Sequence, residues 1–186
     1  MSLLDLVKRR FARAPEPVRA AVAAAGDPDE RVLAWGTLRV EEGWLVATSR
    51  GLRSVGSPDE AVLRWHEVGH AKWTTVPGGG GELAVTPLVE VEPGVQARAT
   101  VRRYAFSDAG DLPAVVRRRV DETVVASQRS PLPGGGGVLL VARRIPGQPG
   151  REWAVVFDDD AHRTDPEARE AARQKLADVV SAELPH

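Results

Sequence analysis

The 186-residue sequence contains no cysteine. This absence excludes disulfide bonds and thiolate metal sites, and it fits a reducing cytoplasm. The sequence also lacks any run approaching the ~20 apolar residues of a membrane-spanning helix. Within residues 1–11 the basic side chains follow the leucines, which is the wrong order for a secretory signal. We therefore expect a cytoplasmic protein without a transmembrane segment.

A large charge excess is also absent. The formal net charge is -1, from 25 basic and 26 acidic side chains. A nucleic-acid binder needs a positive excess to neutralise phosphates, so no specific nucleic-acid partner is expected. The charges are uneven, however, because residues 98–151 carry a basic excess and residues 152–186 an acidic one. Either the two segments lie side by side and neutralise one another, or the basic segment is a surface that attracts an anionic ligand.

Most of the chain has the pattern of antiparallel strands. Short β-branched and aromatic runs alternate with glycine and acidic turns, which is typical of a meander. Trp35, Trp44 and Trp153 fall on these runs, and Trp65 and Trp73 fall on the strand interpretation of residues 61–74 that is given below. We expect all five to anchor the core and not to form a stacking platform. The predicted strands are 31–40, 44–49, 52–55, 82–89, 98–106, 138–145 and 152–157.

Helices are predicted on both sides of the strands. An apolar stripe beside basic residues at 2–12 and an alanine-rich segment at 17–25 predict a helical arm, which packs on the body, stays loose or binds a membrane surface. Asp111 is placed to cap a helix that covers the sheet, and a final helix is predicted at about 166–184. The apolar stripe of the central helix consists of Leu112, Val116, Val120 and Val124.

These elements predict an α+β fold made as one folding unit from three segments. Residues 1–26 are the N-terminal helical arm, and residues 27–128 are the main domain, an antiparallel barrel or sandwich capped by an amphipathic helix. Residues 129–186 form a ββα extension packed on that domain. The two four-glycine runs, 78–81 and 134–137, lack the lysine and hydroxyl of a phosphate loop, so we interpret them as connections.

The pentapeptide from His66 to His70 spells HExxH. On a helix, His66 and His70 would face one zinc ion, and Glu67 would act as general base on a zinc-bound water. Residues 57–60 support a helix, because they combine a hydroxyl cap, an early proline and a glutamate. This interpretation predicts a zinc-dependent hydrolase or peptidase.

The alternative is that residues 61–74 form two strands with a corner or bulge near His66. On a strand, His66 and His70 would lie about 13 Å apart, at ~3.3 Å per residue, and could not share a metal. This interpretation places Leu63 with Trp65 on one face and Ala71 with Trp73 on one face. It explains the tryptophans better than a helix does.

The sequence also lacks the simplest third zinc ligand, a histidine in a Gly-x-x-His pattern after His70. An acidic ligand would have to be Glu90, Glu92 or Glu122. We therefore expect the HExxH to be accidental, with no catalytic residue, no metal ligand and no cofactor. The zinc enzyme, with His66 and His70 as ligands and Glu67 as base, remains the alternative.

Two other charged clusters admit a functional interpretation. Asp158, Asp159 and Asp160 with His162 could bind a divalent cation, but a solvated acidic loop before the last helix is the simpler interpretation. The run Arg117 to Arg119 spans too wide an arc of its helix to aim at one anion. We expect these arginines to form a solvent-exposed helix face that pairs with the acidic segment 152–186.

With the strands placed, the chain resembles an uncharacterised family of high-GC bacterial proteins with a pleckstrin-homology-like (PH-like) barrel. The landmarks are Gly43 to Leu52, the pattern Trp65-x-x-Val68-x-x-Ala71-x-Trp73, Arg119-Val120, Ala142-Arg143-Arg144 and Asp165-Pro166. The resemblance covers roughly 30–186. In that family a glutamate, and not His-Glu, typically follows the first tryptophan, which is a departure here.

The resemblance implies a PH-like barrel and a strand–turn–strand path through the HExxH. PH-like barrels elsewhere bind phosphoinositides or protein segments, and headgroup sites typically use basic residues around the first hairpin. Here that hairpin carries Glu41 and Glu42. We therefore expect a non-enzymatic binding or interaction module, with a protein or an anionic ligand as partner. A self-associating scaffold, a homodimer formed through the arm and an open sheet edge, is the third hypothesis.

Overall fold

The computed structural model describes residues 13–40, 42–56, 62–77, 80–158 and 163–183. The fold is α+β, with three helices and one mostly antiparallel open sheet of eleven strands in this part of the chain. The helices are α1 (Glu16–Ala24), α2 (Leu112–Thr123) and α3 (Pro166–Glu183). The strands are β1 (Val32–Leu38), β2 (Trp44–Thr48), β3 (Gly51–Val55), β4 (Val62–Arg64), β5 (Val68–Thr75), β6 (Gly81–Glu92), β7 (Val95–Arg98), β8 (Arg102–Asp108), β9 (Val124–Pro131), β10 (Gly137–Arg143) and β11 (Glu152–Phe157).

The first half of the sheet is the predicted meander. Its strands follow the order β4-β3-β2-β1 and are joined through β8 to β6, while β5 pairs with β6. Successive strands of the meander pair antiparallel, so short turns are enough to connect them. Helix α1 packs Val18 against Val46 and Val55. One face of the meander is therefore covered by the short helix that precedes it.

Strand β6 belongs to both halves of the sheet. Its residues 81–85 pair with β8, and its residues 88–92 pair with β7. The interval 99–101 separates β7 from β8, although the Ala99 amide still donates a 2.9 Å hydrogen bond to the Pro87 carbonyl. Strand β7 then pairs parallel with β11, which continues to β10 and β9. The two halves therefore diverge at the 99–101 interval.

Each half has its own apolar core. In the first half, Leu45, Trp65 and Phe106 pack with Leu112 and Val116 of α2. Burying an apolar side chain of this size stabilises the fold by about 1.5–3 kcal/mol. In the second half, Ala168 and Ala172 of α3 pack against β10 and β11. A smaller cluster of Leu88, Val141 and Val156 links β6 to the second half.

Several predictions from the sequence are confirmed. The α+β class, the meander and the helices near 17–25, 112–123 and 166–183 are present. The strand interpretation of the HExxH region is confirmed for residues 62–74, where a 3-10 turn, Trp65–Glu67, separates β4 from β5. The helix predicted at 2–12 and the start signal at 57–60 lie outside the described residues. No described helix is both long enough and apolar enough to span a membrane.

Three details were wrong or incomplete. The predicted strand 98–106 is divided into β7 and β8, because β7 leaves the first half to pair with β11. Val124 does not extend the helix stripe but begins β9, a strand that was not predicted and that runs across the predicted boundary at 128. Asp111 is the N-cap residue of α2, yet its side chain makes no capping hydrogen bond. In the first two cases long-range strand pairing decided against the local pattern.

Candidate functional site

The HExxH begins in the 3-10 turn between β4 and β5. Trp65 is 1% exposed, and its indole Nε1 donates a 2.9 Å hydrogen bond to the Thr48 carbonyl. The Glu67 carboxylate accepts a 2.8 Å hydrogen bond from the Arg64 amide and so caps the turn. Both contacts give these residues structural roles. Glu67, the general base of the zinc hypothesis, therefore already accepts a hydrogen bond within its own turn.

The two histidines do not share a helix face. His66 is half-buried in the turn, whereas His70 is exposed on β5 opposite Thr86. Gly69 between them is required by packing, since a Cβ there would lie 2.8 Å from Leu88 Cδ2. The geometry on which the zinc hypothesis depends is therefore not formed. In the described ranges, no three His, Asp or Glu side chains are grouped to hold a metal ion.

The acidic residues considered as third ligands have other contacts. Glu90 accepts a 3.0 Å hydrogen bond from the Gly94 amide. Glu92 forms an ion pair with Arg169 of α3, and Glu122 pairs with arginines of its own helix. None of these three is positioned beside both histidines.

A cleft of about 730 Å³ lies between the two halves of the sheet. One wall is formed by β4 and the 3-10 turn, and the other by the ends of β10 and β11, with β6 and β7 between them. The cleft combines apolar and charged side chains. The apolar ones include Leu63, Leu88, Val89, Ile145, Trp153 and Val180, and the polar ones are His66, Glu67, Glu90, Gln96, Arg102, Arg143, Arg151 and Glu152.

Arg143 is the most buried charged group of this cleft. The residue is only 7% exposed, and its Nη1 donates a 2.9 Å hydrogen bond to the Thr123 hydroxyl. That hydroxyl in turn donates to the Val120 carbonyl at the end of α2, at 2.7 Å. The Arg143 Nε is buried without a hydrogen-bond partner, and no described carboxylate forms an ion pair with the guanidinium. Burial lowers the pKa of Arg143, but an arginine in a protein stays protonated.

Arg143 and Glu152 are directly opposite one another on β10 and β11. Residues paired in this way point to the same face of a sheet. Glu152 is nevertheless exposed, and the described part of the chain gives it no ion pair, with Arg143 or with any other group. Two opposite charges therefore stand side by side on one wall of the cleft without contacting each other.

Two further polar atoms in the cleft are buried without a partner. They are the His66 Nδ1 and the Gln96 Oε1. Burial lowers the pKa of His66, while the neighbouring Glu67 opposes the shift. The lowered pKa favours the neutral imidazole, whose Nδ1 can accept or donate one hydrogen bond. Buried polar groups in folded proteins nearly always have partners, so this concentration distinguishes the cleft.

The other charged clusters are partly as expected. Arg129 and Arg98 of the basic segment contact the Asp158 carboxylate, at 2.7 and 4.0 Å, which is the predicted neutralisation by the acidic segment. The arginines at 117–119 form no ion pair with the described residues of that segment; they pair with Asp121 and Glu122 of their own helix. Residues 159, 160 and 162 lie outside the described ranges.

The tryptophans pack in or against the cores, as predicted. Trp65 is fully buried, and Trp73 is half-buried beside Phe106, with ring centroids 5.9 Å apart. Trp35 and Trp44 pack against the α1 cluster, and Trp153 against the α3 cluster.

The sequence did not single out Arg143 or Gln96 as site residues. A weak signal was present, because Arg143 interrupts the apolar run between Val138 and Ile145. Searches of protein-family models, curated proteins and solved structures found no match to this chain.

Proposed function

We propose that the protein is a non-enzymatic binding module and that its ligand binds in the cleft through an oxyanion group on Arg143. The observation that carries this proposal is the buried Arg143 guanidinium, which lines the cleft, forms no ion pair with a described carboxylate and leaves its Nε without a hydrogen-bond partner. The HExxH does not compete for this role, because its Glu67 caps a turn and its histidines lie in different elements.

The energetics favour an anion at this position. An ion buried without a counter-ion costs several kcal/mol, even after the surroundings relax. The single hydrogen bond to Thr123 satisfies one of five N–H donors of the guanidinium and supplies no negative charge. A carboxylate or phosphate oxygen on this guanidinium would supply both the opposite charge and a further hydrogen-bond acceptor.

The cleft also has the dimensions of a ligand site. Its volume of about 730 Å³ lies in the usual range for small-molecule pockets, about 300–1,000 Å³. Apolar side chains such as Leu88 and Val89 can cover the body of a ligand, while polar side chains such as His66 and Gln96 line the same cleft and can fix its orientation.

Thermal unfolding with inorganic phosphate and with acetate tests the proposal. We expect either oxyanion to raise the Tm of the wild-type protein and Arg143→Met to abolish that increase. Without ligand, Arg143→Met should unfold at the same or a higher temperature, because the variant removes an uncompensated buried charge. Arg144→Met is the matched control, since Arg144 is the exposed neighbour. The proposal fails if neither oxyanion shifts the Tm, or if Arg143→Met responds as the wild type does.

We also propose that β1 to β6, β8 and α2 form a PH-like unit. Support comes from the meander, from its connection through β8 to β6 and β5, and from α2, which packs Leu112 and Val116 on that core. Glu42 is exposed at the first hairpin, which is unsuited to an anionic headgroup. The anion site proposed here is therefore at a different place, the junction with the second half of the sheet. A crystal structure in which α2 does not pack on the core of these strands would contradict the PH-like assignment.

Self-association is a second candidate function, favoured by strand β9. This strand ends the sheet, and its Val124 and Val125 are 37% and 40% exposed. Open edges of this kind invite pairing with a second copy. Sedimentation equilibrium should show a dimer that Val125→Lys disrupts, whereas the control Val91→Lys, at a similarly exposed valine on β6, should not. A monomer at high concentration would contradict this candidate.

A further inference from the structure

We infer that the ligand of the cleft is a small zwitterion, with its oxyanion on Arg143 and its ammonium group on Glu152. This inference rests on the proposed function, because it assumes that the anion site on Arg143 exists. It adds the second charge of the ligand, and with it the chemical class: amino carboxylates or amino phosphates.

The first step of the argument is the relation between the two side chains. Arg143 and Glu152 face the same side of adjacent strands, where Cβ atoms lie about 4.5–5.5 Å apart. Opposite charges at such positions ordinarily pair with each other. Here the guanidinium instead donates to Thr123 and stays buried, while the carboxylate stays exposed. A ligand with both charges can join them without moving either strand.

The second step is the balance of charge in the cleft. Three arginines, at positions 102, 143 and 151, face three glutamates, at positions 67, 90 and 152. A dianion would meet the repulsion of those carboxylates, because like charges in a cleft disfavour binding. A zwitterion is attracted by both sets of charges. The composition of the site therefore favours a ligand that carries charges of both signs over a simple anion.

The third step is to identify the carboxylate that receives the ammonium group. Glu67 is engaged by the Arg64 amide at 2.8 Å, and Glu90 by the Gly94 amide at 3.0 Å. Among the described residues, no backbone amide donates a hydrogen bond of this kind to Glu152. Glu152 also lines the cleft itself. Glu152 is therefore the carboxylate available to the ligand.

Isothermal titration calorimetry with matched probes tests the inference. β-Alanine is compared with propionate, and phosphoethanolamine with ethyl phosphate; each pair differs by the ammonium group alone. We expect the wild-type protein to bind at least one zwitterion about tenfold more tightly than its matched anion, the size of one charge-assisted hydrogen bond. The better of the two pairs identifies the oxyanion as carboxylate or phosphate.

Three variants separate the possible outcomes. Glu152→Gln should remove the tenfold advantage and leave the affinity for the simple anion unchanged, whereas Glu170→Gln, a surface control on α3, should keep it. Arg143→Met should abolish binding of both probe classes. The inference is overturned if simple anions bind through Arg143 but zwitterions gain nothing, or if the gain survives Glu152→Gln; the anion site then still stands. If neither probe class binds the wild type, or binding survives Arg143→Met, the proposed function itself fails.

Discussion

The indole nitrogen of Trp65 donates a 2.9 Å hydrogen bond to the backbone carbonyl of Thr48, and this contact ties the turn of the HExxH to strand β2. Thr48 is itself fully buried, and its hydroxyl accepts hydrogen bonds from the amides of Arg50 and Gly51, both at 3.1 Å. The residue before the motif is thus a core anchor. The motif follows a corner of the sheet and not a helix.

The first prediction concerns this anchor. Trp65→Phe removes the indole donor and leaves the Thr48 carbonyl buried with one partner fewer, so it should lower the free energy of unfolding by about 1–3 kcal/mol. Trp73→Phe is the control, because Trp73 is only half-buried and packs mainly on Phe106. Urea unfolding measures both. Equal losses for the two variants would show that the hydrogen bond contributes nothing beyond packing.

The second prediction separates the turn from a zinc site. His70→Ala should change the free energy of unfolding by less than about 0.5 kcal/mol, since the side chain is exposed. Glu67→Ala should cost about 1 kcal/mol through loss of the cap, while Glu67→Gln keeps an acceptor and should cost less. Stability is measured with and without a chelator. A zinc enzyme would instead be destabilised by the chelator, and His66→Ala and His70→Ala would each remove its metal.

The third prediction concerns Thr123, the partner of Arg143. Thr123→Val removes the hydroxyl and leaves the buried guanidinium without its hydrogen bond, so the expected loss is about 1–3 kcal/mol. In the background of Arg143→Met the same substitution should cost clearly less, because no charge remains to be solvated. The four proteins form a double-mutant cycle measured by chemical unfolding. Additive losses would mean that the two side chains are not coupled.

The fourth prediction is a dependence of stability on pH. Burial holds the pKa of His66 below its ordinary value of 6.5, so the unfolded chain binds this proton more readily than the folded protein does. The contribution of neutral His66 is complete above pH 6.5. It decreases as the pH falls from there towards the lower pKa of the folded state.

Unfolding of the wild type and of His66→Gln should therefore be compared between pH 5 and pH 8. The wild type should lose more stability than the variant as the pH falls through 6. Arg64, Arg143, Glu67 and Glu152 also act on His66, and they are unchanged in the variant. His70→Gln serves as the control, since that histidine is exposed. Parallel curves for the wild type and His66→Gln would contradict the prediction.

The strands were predictable where a local pattern decides them. Alternation and turn residues located β1 to β3, and tryptophan spacing favoured the strand path through His66. Arg143 is the buried last residue of β10, and Arg144, just beyond the strand, is exposed. Which of the two faces inward was not predictable, because it depends on the register of β10 with its neighbours.

The cleft could not be predicted from local sequence patterns, for a related reason. Its unpaired atoms belong to His66, Gln96 and Arg143, which are far apart in the chain and meet only after β7 has paired parallel with β11. A parallel pairing between distant segments leaves no local periodicity to detect. The division between β7 and β8 was missed for the same reason, since the residues at 99–101 are not turn formers.

The sharing of β6 between both halves of the sheet constrains how this protein can change over evolutionary time. A chain shortened before β9 would keep β7 but lose β10 and β11, and it would expose an unpaired strand edge beside Leu88, a template for aggregation. The last third of the chain is therefore not a detachable module that recombination could exchange. Insertions are tolerated best in the surface connections, and the two halves are expected to be inherited together.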